Sequence, residues 1–129
     1  MAAALVDRVW SDLSDRVGDD LRAVTRYQGG RFETRMRGDV RERYDRTEDQ
    51  RIVDETVVDQ LRGSDVSERF RAGDLRALVR FFEEAWVVSW PDGPKSGVVV
   101  SIGRGGEATV DDVEWSIDYL EENVAPTTD

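Results

Sequence analysis

Apolar side chains recur every three or four positions in three stretches of the chain, which is the spacing of a helix with one buried face. The pattern predicts helices over residues 4–17, 48–61 and 109–122. Thr47 and Gln50 have the spacing of a capping box at the start of the middle helix. No such stripe continues through residues 63–73, so we expect a connector there with at most one short helical turn.

Apolar and polar positions alternate in two other stretches, and three further short stretches are mostly apolar, which together predict five strands. These are residues 21–27, 31–37, 75–82, 85–90 and 97–102. Gly29 and Gly30 separate the first two strands and supply the positive φ angles that a tight hairpin needs. The last three strands follow one another through short polar turns, so they are expected to form a meander.

The order of these elements is αββα, a connector, and then βββα. Hairpins at both ends of the strand list predict an α+β fold, with a five-stranded, mostly antiparallel sheet and about three helices on its faces. No repeat or linker divides the chain, so residues 1–129 are predicted to form a single domain. The tail from about residue 123 is expected to be frayed.

The composition narrows the possible chemistry. The chain has 129 residues with no histidine and no cysteine, and Lys95 is its only lysine. Disulfides, thiol nucleophiles, histidine acid–base catalysis and zinc sites with sulfur or imidazole ligands are therefore excluded. The carboxylate pairs along the chain are what 28 acidic residues produce by chance. We therefore expect no enzyme, no metal and no cofactor.

The charge is strongly acidic, with a formal net value of −10 and 36% charged residues. Arginine supplies almost all of the basic residues, and aspartate outnumbers glutamate. A dense carboxylate shell of this kind keeps a folded protein hydrated where molar salt screens charge within a few ångströms. The composition predicts a halophilic protein. An ordinary acidic protein from a GC-rich genome would explain the arginines but not the net charge.

The loop Gly103–Ala108 has the spacing G-x-G-x-x-A between a strand and a helix, as a dinucleotide site requires. A dinucleotide-binding unit also needs a further parallel strand after the helix, and here the chain ends at the helix. Asp111 and Asp112 would also repel a pyrophosphate. The better interpretation is a flexible turn before a helix whose first turn contains acidic residues.

Arginines are concentrated in one part of the chain. Nine arginines and six acids lie between Arg22 and Arg51. A guanidinium-lined surface for RNA or another anionic ligand is one hypothesis. Its candidate contacts are Arg22, Arg26, Arg35 and Arg37. The alternative is that the middle helix lies over this sheet face and pairs with it through Asp54, Glu55 and Asp59.

The last helix carries two aromatic residues away from its apolar stripe. Trp115 and Tyr119 are one turn apart, almost opposite the side that carries Val113 and Leu120. If that side faces the sheet, the two rings form a solvent-facing pair, and such aromatics are enriched at protein interfaces. The alternative is that a loop or the N-terminal helix covers them.

The element order resembles the roadblock and longin group of profilin-like domains. The segments LRAVTRYQGG (residues 21–30) and GVVVSI (residues 97–102) are also similar to those of a family of small haloarchaeal proteins without an assigned activity. Roadblock and longin domains typically dimerise and serve as platforms for small GTPases or trafficking partners. The resemblance therefore implies a dimer and an unidentified protein partner, with a small GTPase as the candidate by fold analogy, and it brings no catalytic motif.

These observations favour a non-enzymatic regulatory or scaffolding module that acts as a homodimer, with the meander 75–102 as the edge that pairs. Nucleic acid is an unfavoured partner because the net charge opposes it. A small-ligand sensor is a further hypothesis, and it requires a cavity behind Trp86, Trp90 and Phe32. No apolar run is long enough to span a bilayer and residues 1–7 lack a signal peptide's basic segment, so the expected location is the cytoplasm.

Overall fold

A single five-stranded antiparallel sheet forms the centre of the protein, in a computed structural model that describes residues 2–124 except the side chain of Ser64. The strand order across the sheet is β2-β1-β5-β4-β3. Every neighbouring pair of strands is antiparallel. The strands are β1 (Leu21–Gln28), β2 (Arg31–Met36), β3 (Leu78–Phe81), β4 (Ala85–Gly93) and β5 (Ser96–Gly103).

Three long helices and two shorter ones surround the sheet, which confirms the predicted α+β fold. They are α1 (Ala2–Val17), α2 (Gly38–Arg41), α3 (Arg46–Leu61), α4 (Gly63–Phe70) and α5 (Val110–Asn123). A 3₁₀ turn, Gly18–Asp20, joins α1 to β1. The three predicted helices correspond to α1, α3 and α5.

The two faces of the sheet are covered by different helices. On one face, α1 and α5 pack over Val24, Val88 and Val100, which belong to the larger hydrophobic core. On the other face, Val53 of α3 packs with Tyr27, Phe32 and Val99. We call these the α1/α5 face and the α3 face. Because opposite residues of an antiparallel pair share a face, the strand register assigns every sheet residue to one of the two.

Two local predictions about the middle of the chain were wrong. The capping box of α3 is formed by Asp45 and Glu48, which exchange side-chain and backbone hydrogen bonds at 2.8 and 3.2 Å, so the helix begins before Thr47. The connector after α3 contains the eight-residue helix α4. Its last turn ends at Arg71, which adopts the left-handed conformation with φ 51°.

Strand β3 is also shorter than expected, because pairing with β4 is limited to Leu78–Phe81 and the predicted strand covered residues 75–82. Strand β4 is longer than the predicted 85–90, and it continues through Pro91 to Gly93. Among the described residues, no helix is both long enough and apolar enough to cross a membrane.

Candidate interaction surface

The edge strand β3 exposes apolar side chains on both of its faces. Val79 and Phe81 lie opposite Val88 and Trp86 and therefore share the α1/α5 face, yet they are 42% and 64% exposed. Leu78 projects on the α3 face and is 38% exposed. The helices cover the middle of the sheet and leave this edge open.

Neighbouring segments extend the apolar area. Phe82 follows the strand and is exposed, as are Val58 and Leu61 on the C-terminal half of α3. The ion pair between Arg80 and Asp59 holds β3 against that half of α3. We call this set the β3 edge surface. Its members are Val58, Leu61, Leu78, Val79, Phe81 and Phe82.

The opposite edge of the sheet is protected by charge. Strand β2 exposes Arg31, Glu33 and Arg35, while its apolar residue Phe32 is buried under α3. Charged side chains on an edge strand discourage pairing with another chain. Of the two edges of the sheet, β3 is therefore the one suited to pairing.

Arg104 holds the turn that follows β3 in place. Its guanidinium group donates hydrogen bonds to the carbonyl oxygens of Phe82 and Glu83 at 3.0 and 2.9 Å. The same group lies 3.9 Å from the centroid of the Phe81 ring and 5.5 Å from that of Trp86. The exposed Phe81 ring is thus fixed between a cation and a buried aromatic side chain.

The structure does not bring the four candidate arginines together as one exposed surface. Arg26 is only 5% exposed, and its Nη1 donates to Oδ2 of Asp92 at 2.7 Å. Asp92 in turn accepts a hydrogen bond from Ser96 Oγ at 2.7 Å. Arg22 is half-buried beside Gly103. Two of the four candidate arginines are therefore buried or half-buried rather than exposed on the surface.

The other two candidates are paired on the surface. Arg35 lies 4.9 Å from the ring centroid of Trp10 and 3.3 Å from a carboxylate oxygen of Asp7. Arg37 donates two hydrogen bonds to Asp39, and this contact lowers the pKa of that carboxyl group. The alternative interpretation placed the middle helix over this arginine-bearing face, but α1 covers it and α3 lies on the other side. Anion binding at these residues stays a prediction.

Trp115 and Tyr119 stack on each other, with ring centroids 5.4 Å apart. Tyr119 is 8% exposed, and its hydroxyl donates to Asp12 of α1 at 2.5 Å. Arg16 of α1 lies 4.9 Å from the Trp115 centroid, and Trp115 is half-buried. The N-terminal helix covers the pair, as the alternative interpretation had it, so the rings do not form a solvent-facing pair. An interface at Trp115 stays a prediction.

The glycine loop before α5 is occupied by a side chain of the protein itself. Oδ2 of Asp20 accepts hydrogen bonds from the backbone N–H groups of Glu107 and Ala108 at 3.0 and 2.9 Å. These are the donors that a bound phosphate would need. Thr109 and Asp112 cap the helix that follows. This arrangement fits the interpretation of the loop as a turn.

Trp86 and Trp90 lie on the α1/α5 face, and Phe32 lies on the α3 face. The two tryptophans and Phe32 are therefore on opposite sides of the sheet, so the three residues do not line one common cavity. Among the described residues, no cluster of three or more acidic side chains is placed to hold a metal ion.

The geometry defines a roadblock-like α+β fold, and comparison with solved structures agrees. A Roadblock/LC7 domain from Streptomyces avermitilis superposes with a TM-score of 0.60 at 16% identity, over 90% of this chain and 94% of the other. MglB from Myxococcus xanthus superposes with a TM-score of 0.59 at 12% identity, over 98% of this chain and 91% of the other. At these identities the likeness concerns the fold.

The chain belongs to a protein family described as a domain of unknown function (DUF7522), whose profile matches residues 7–125. No curated protein matches the sequence. The resemblance predicted from the order of elements is confirmed at the level of the fold.

Proposed function

We propose that the protein is a non-enzymatic regulatory or scaffolding module that works through protein–protein contacts, and that its first partner is a second copy of itself. The observation that carries this proposal is the β3 edge surface, where an unpaired strand edge and apolar side chains coincide. The homodimer joins two copies along β3.

The geometry favours a symmetric contact. Two β3 edges related by a twofold axis run antiparallel, so each residue contact occurs twice and the assembly closes at two copies. Strand β3 has only four residues, which limits the number of backbone hydrogen bonds between the copies. Most of the stabilisation must therefore come from apolar burial, at about 25 cal/mol for each Å² removed from water.

Charge also favours self-association at this place. The chain carries a net charge of −10, so two copies repel each other over most of their surfaces. Arg80, the one charged residue within β3, is paired with Asp59 of its own chain, and the other three residues of the strand are apolar. Repulsion between two copies is therefore weaker at this edge than elsewhere.

The wider functional setting follows from the fold and the composition. Roadblock and longin domains act as platforms, so a second protein partner, with a small GTPase as the candidate class, would bind the dimer. The acidic composition, in which almost all basic residues are arginines, supports assignment of the protein to the cytoplasm of a halophilic archaeon. Nucleic acid is not the proposed partner, because two of the candidate arginines are buried or half-buried.

The test is the molar mass in high salt, measured by light scattering after size-exclusion chromatography. The unmodified chain is expected at twice the chain mass of 14.6 kDa. Val79→Glu places a charge on the pairing edge and is expected to shift the protein to monomer. Val110→Glu is the matched control, because Val110 is 62% exposed at the start of α5, outside the β3 edge surface.

A monomeric unmodified chain would overturn the proposed dimer. A dimer that survives Val79→Glu and Leu78→Glu with unchanged mass would place the interface elsewhere. Circular dichroism of each variant separates loss of association from loss of fold.

A further inference from the structure

A groove of about 410 Å³ lies on the α3 face, between the C-terminal half of α3, the start of α4 and the outer strands of the sheet. Its floor and walls are mainly apolar, with Val66, Leu75, Ala77 and Leu78 among the lining residues. This volume is within the range of small-molecule sites in proteins.

The groove exists because the outer strands differ in length. Strand β3 pairs only with residues 86–89 of β4, so the end of β4 has no strand beside it on that side. Helix α4 and the segment that follows it pass around this end. Gly63, at the start of α4, adds no side chain to the space between the helix and Leu75.

Several polar side chains border the groove, and that of Gln60 is held in a fixed position. The amide group of Gln60 accepts a hydrogen bond from the Tyr27 hydroxyl at 2.5 Å and donates to the Ser96 carbonyl oxygen at 3.0 Å. Arg80 pairs with Asp59 on the wall. Gln60 and the paired Arg80 are therefore committed to contacts within the protein.

The charge of the groove is opposite to that of the chain. Two arginines, Arg62 and Arg80, and one acid, Asp59, line it, which gives a local net charge of +1 in a protein of net charge −10. Asp59 is paired with Arg80, so Arg62 supplies the excess positive charge. A cation at the rim of an apolar groove is complementary to an amphipathic anion.

We propose that this groove binds a small organic anion, with an apolar body against Leu75 and Leu78 and a carboxylate or sulfonate group against Arg62. The single excess charge fits a monoanion, and the apolar lining fits a hydrocarbon or aromatic body. All of the lining residues come from one chain, so a single copy carries the whole site. Leu78 is shared with the β3 edge surface, so the groove borders the proposed dimer contact.

Two fluorescent probes of nearly the same shape test the proposal. 1-Anilinonaphthalene-8-sulfonate carries the anionic group, and N-phenyl-1-naphthylamine lacks it. The expected result is saturable binding of the anionic probe with one site per chain, and at least tenfold weaker binding of the neutral probe. Arg62→Gln is expected to weaken the anionic probe about tenfold, which corresponds to about 1.4 kcal/mol, and to leave the neutral probe unchanged.

A blocking variant assigns the signal to the groove. Gly63 has no positive φ, and a Cβ there would lie 3.6 Å from a Leu75 methyl carbon, an ordinary contact. The backbone therefore accepts a side chain at this position, and Gly63→Leu is designed to fill the groove. It should abolish binding of both probes. Gly38→Leu is the control, because a Cβ at Gly38 meets nothing within 4 Å and the residue lies outside the groove.

Probe binding that persists in Gly63→Leu would overturn the proposal, since the probe would then occupy other exposed apolar residues. Equal binding of the two probes, or an unchanged affinity in Arg62→Gln, would overturn the anionic class. The molar mass of each variant is measured in parallel, so a change in dimerisation is recognised separately from the loss of the groove.

Discussion

Asp20 and Ala108 are 88 residues apart in the chain, yet Oδ2 of Asp20 accepts a hydrogen bond from the backbone N–H of Ala108 at 2.9 Å. The same oxygen accepts from Glu107, so one carboxylate joins the 3₁₀ turn before β1 to the loop before α5. A Cβ at Gly106 would overlap this carboxylate, with Asp20 Cγ only 2.7 Å away. The glycine loop therefore accommodates an anion that the protein supplies itself.

Asp20→Ala should lower the free energy of unfolding by about 1–2 kcal/mol, because two backbone donors lose a charged acceptor. Denaturant titration at constant high salt measures this free energy of unfolding. Asp19→Ala is the control: its side chain is exposed, and the change should stay within about 0.5 kcal/mol. Equal effects of the two substitutions would mean that only the total charge matters.

Gly97→Ala should destabilise the sheet by about 3 kcal/mol or more, because the added methyl group has no space. It would overlap the Trp90 carbonyl oxygen and stand 2.5 Å from the Tyr27 hydroxyl oxygen. Circular dichroism during heating gives the melting temperature of each variant. Gly30→Ala, where a Cβ meets nothing within 4 Å, is the control. A melting temperature for Gly97→Ala close to that of Gly30→Ala would contradict this packing.

Arg71→Gly should raise the free energy of unfolding by about 0.5–1 kcal/mol. Arg71 ends α4 with φ 51°, a conformation that glycine adopts without the steric cost that other residues pay. The matched substitution Arg69→Gly lies inside the helix and should have the opposite sign, with a loss of about 1 kcal/mol. Loss of stability in both variants would show that α4 does not end at Arg71 in this way.

Stability should fall in strongly alkaline solution through Tyr119. Burial, followed by the hydrogen bond to Asp12, raises the pKa of Tyr119 from 10.0 to about 12. A raised folded-state pKa stabilises the protein fully below the unfolded value, and this contribution is lost as the pH rises from about 10 through about 12. Tyr119→Phe should unfold with a shallower dependence on pH in that window. Identical slopes for the two proteins would exclude this role.

Salt should stabilise the fold, as the composition predicts. At about 0.1 M salt the carboxylates repel over about 10 Å, whereas at about 1 M the range falls to about 3 Å. The melting temperature is therefore expected to rise steadily with KCl. The double substitution Asp111→Asn and Glu122→Gln removes two exposed acids and should reduce that dependence. A melting temperature independent of salt would remove the halophilic interpretation.

Local patterns located β1, β2 and the long helices within a few residues, because alternation and helical stripes depend on neighbours along the chain. They did not locate α4, since its eight residues end at a non-glycine residue in the left-handed region. They also placed the capping box at Thr47 and Gln50, although Asp45 and Glu48 have an equally suitable spacing. The start of the helix depends on how the chain leaves α2, which spacing does not encode.

The candidate surfaces depended even more on distant contacts. The meander was expected to provide the pairing edge, and β3 is an edge strand with exposed apolar residues. The burial of Arg26 could not be predicted, because Asp92 of β4 is 66 residues away and the pair forms only when β1, β5 and β4 align. The burial of Tyr119 and the groove beside α3 also depend on contacts between distant segments, so local spacing could not predict them.

The sequence by itself determined the order of helices and strands, the acidic exterior and the absence of thiol and imidazole chemistry, because these follow from residue type and local spacing. The tertiary structure decided which charges are paired, which aromatic residues are covered and which edge of the sheet stays open. Those properties depend on strand register and on the side of the sheet that each helix covers, and both are set by packing between segments far apart in the chain.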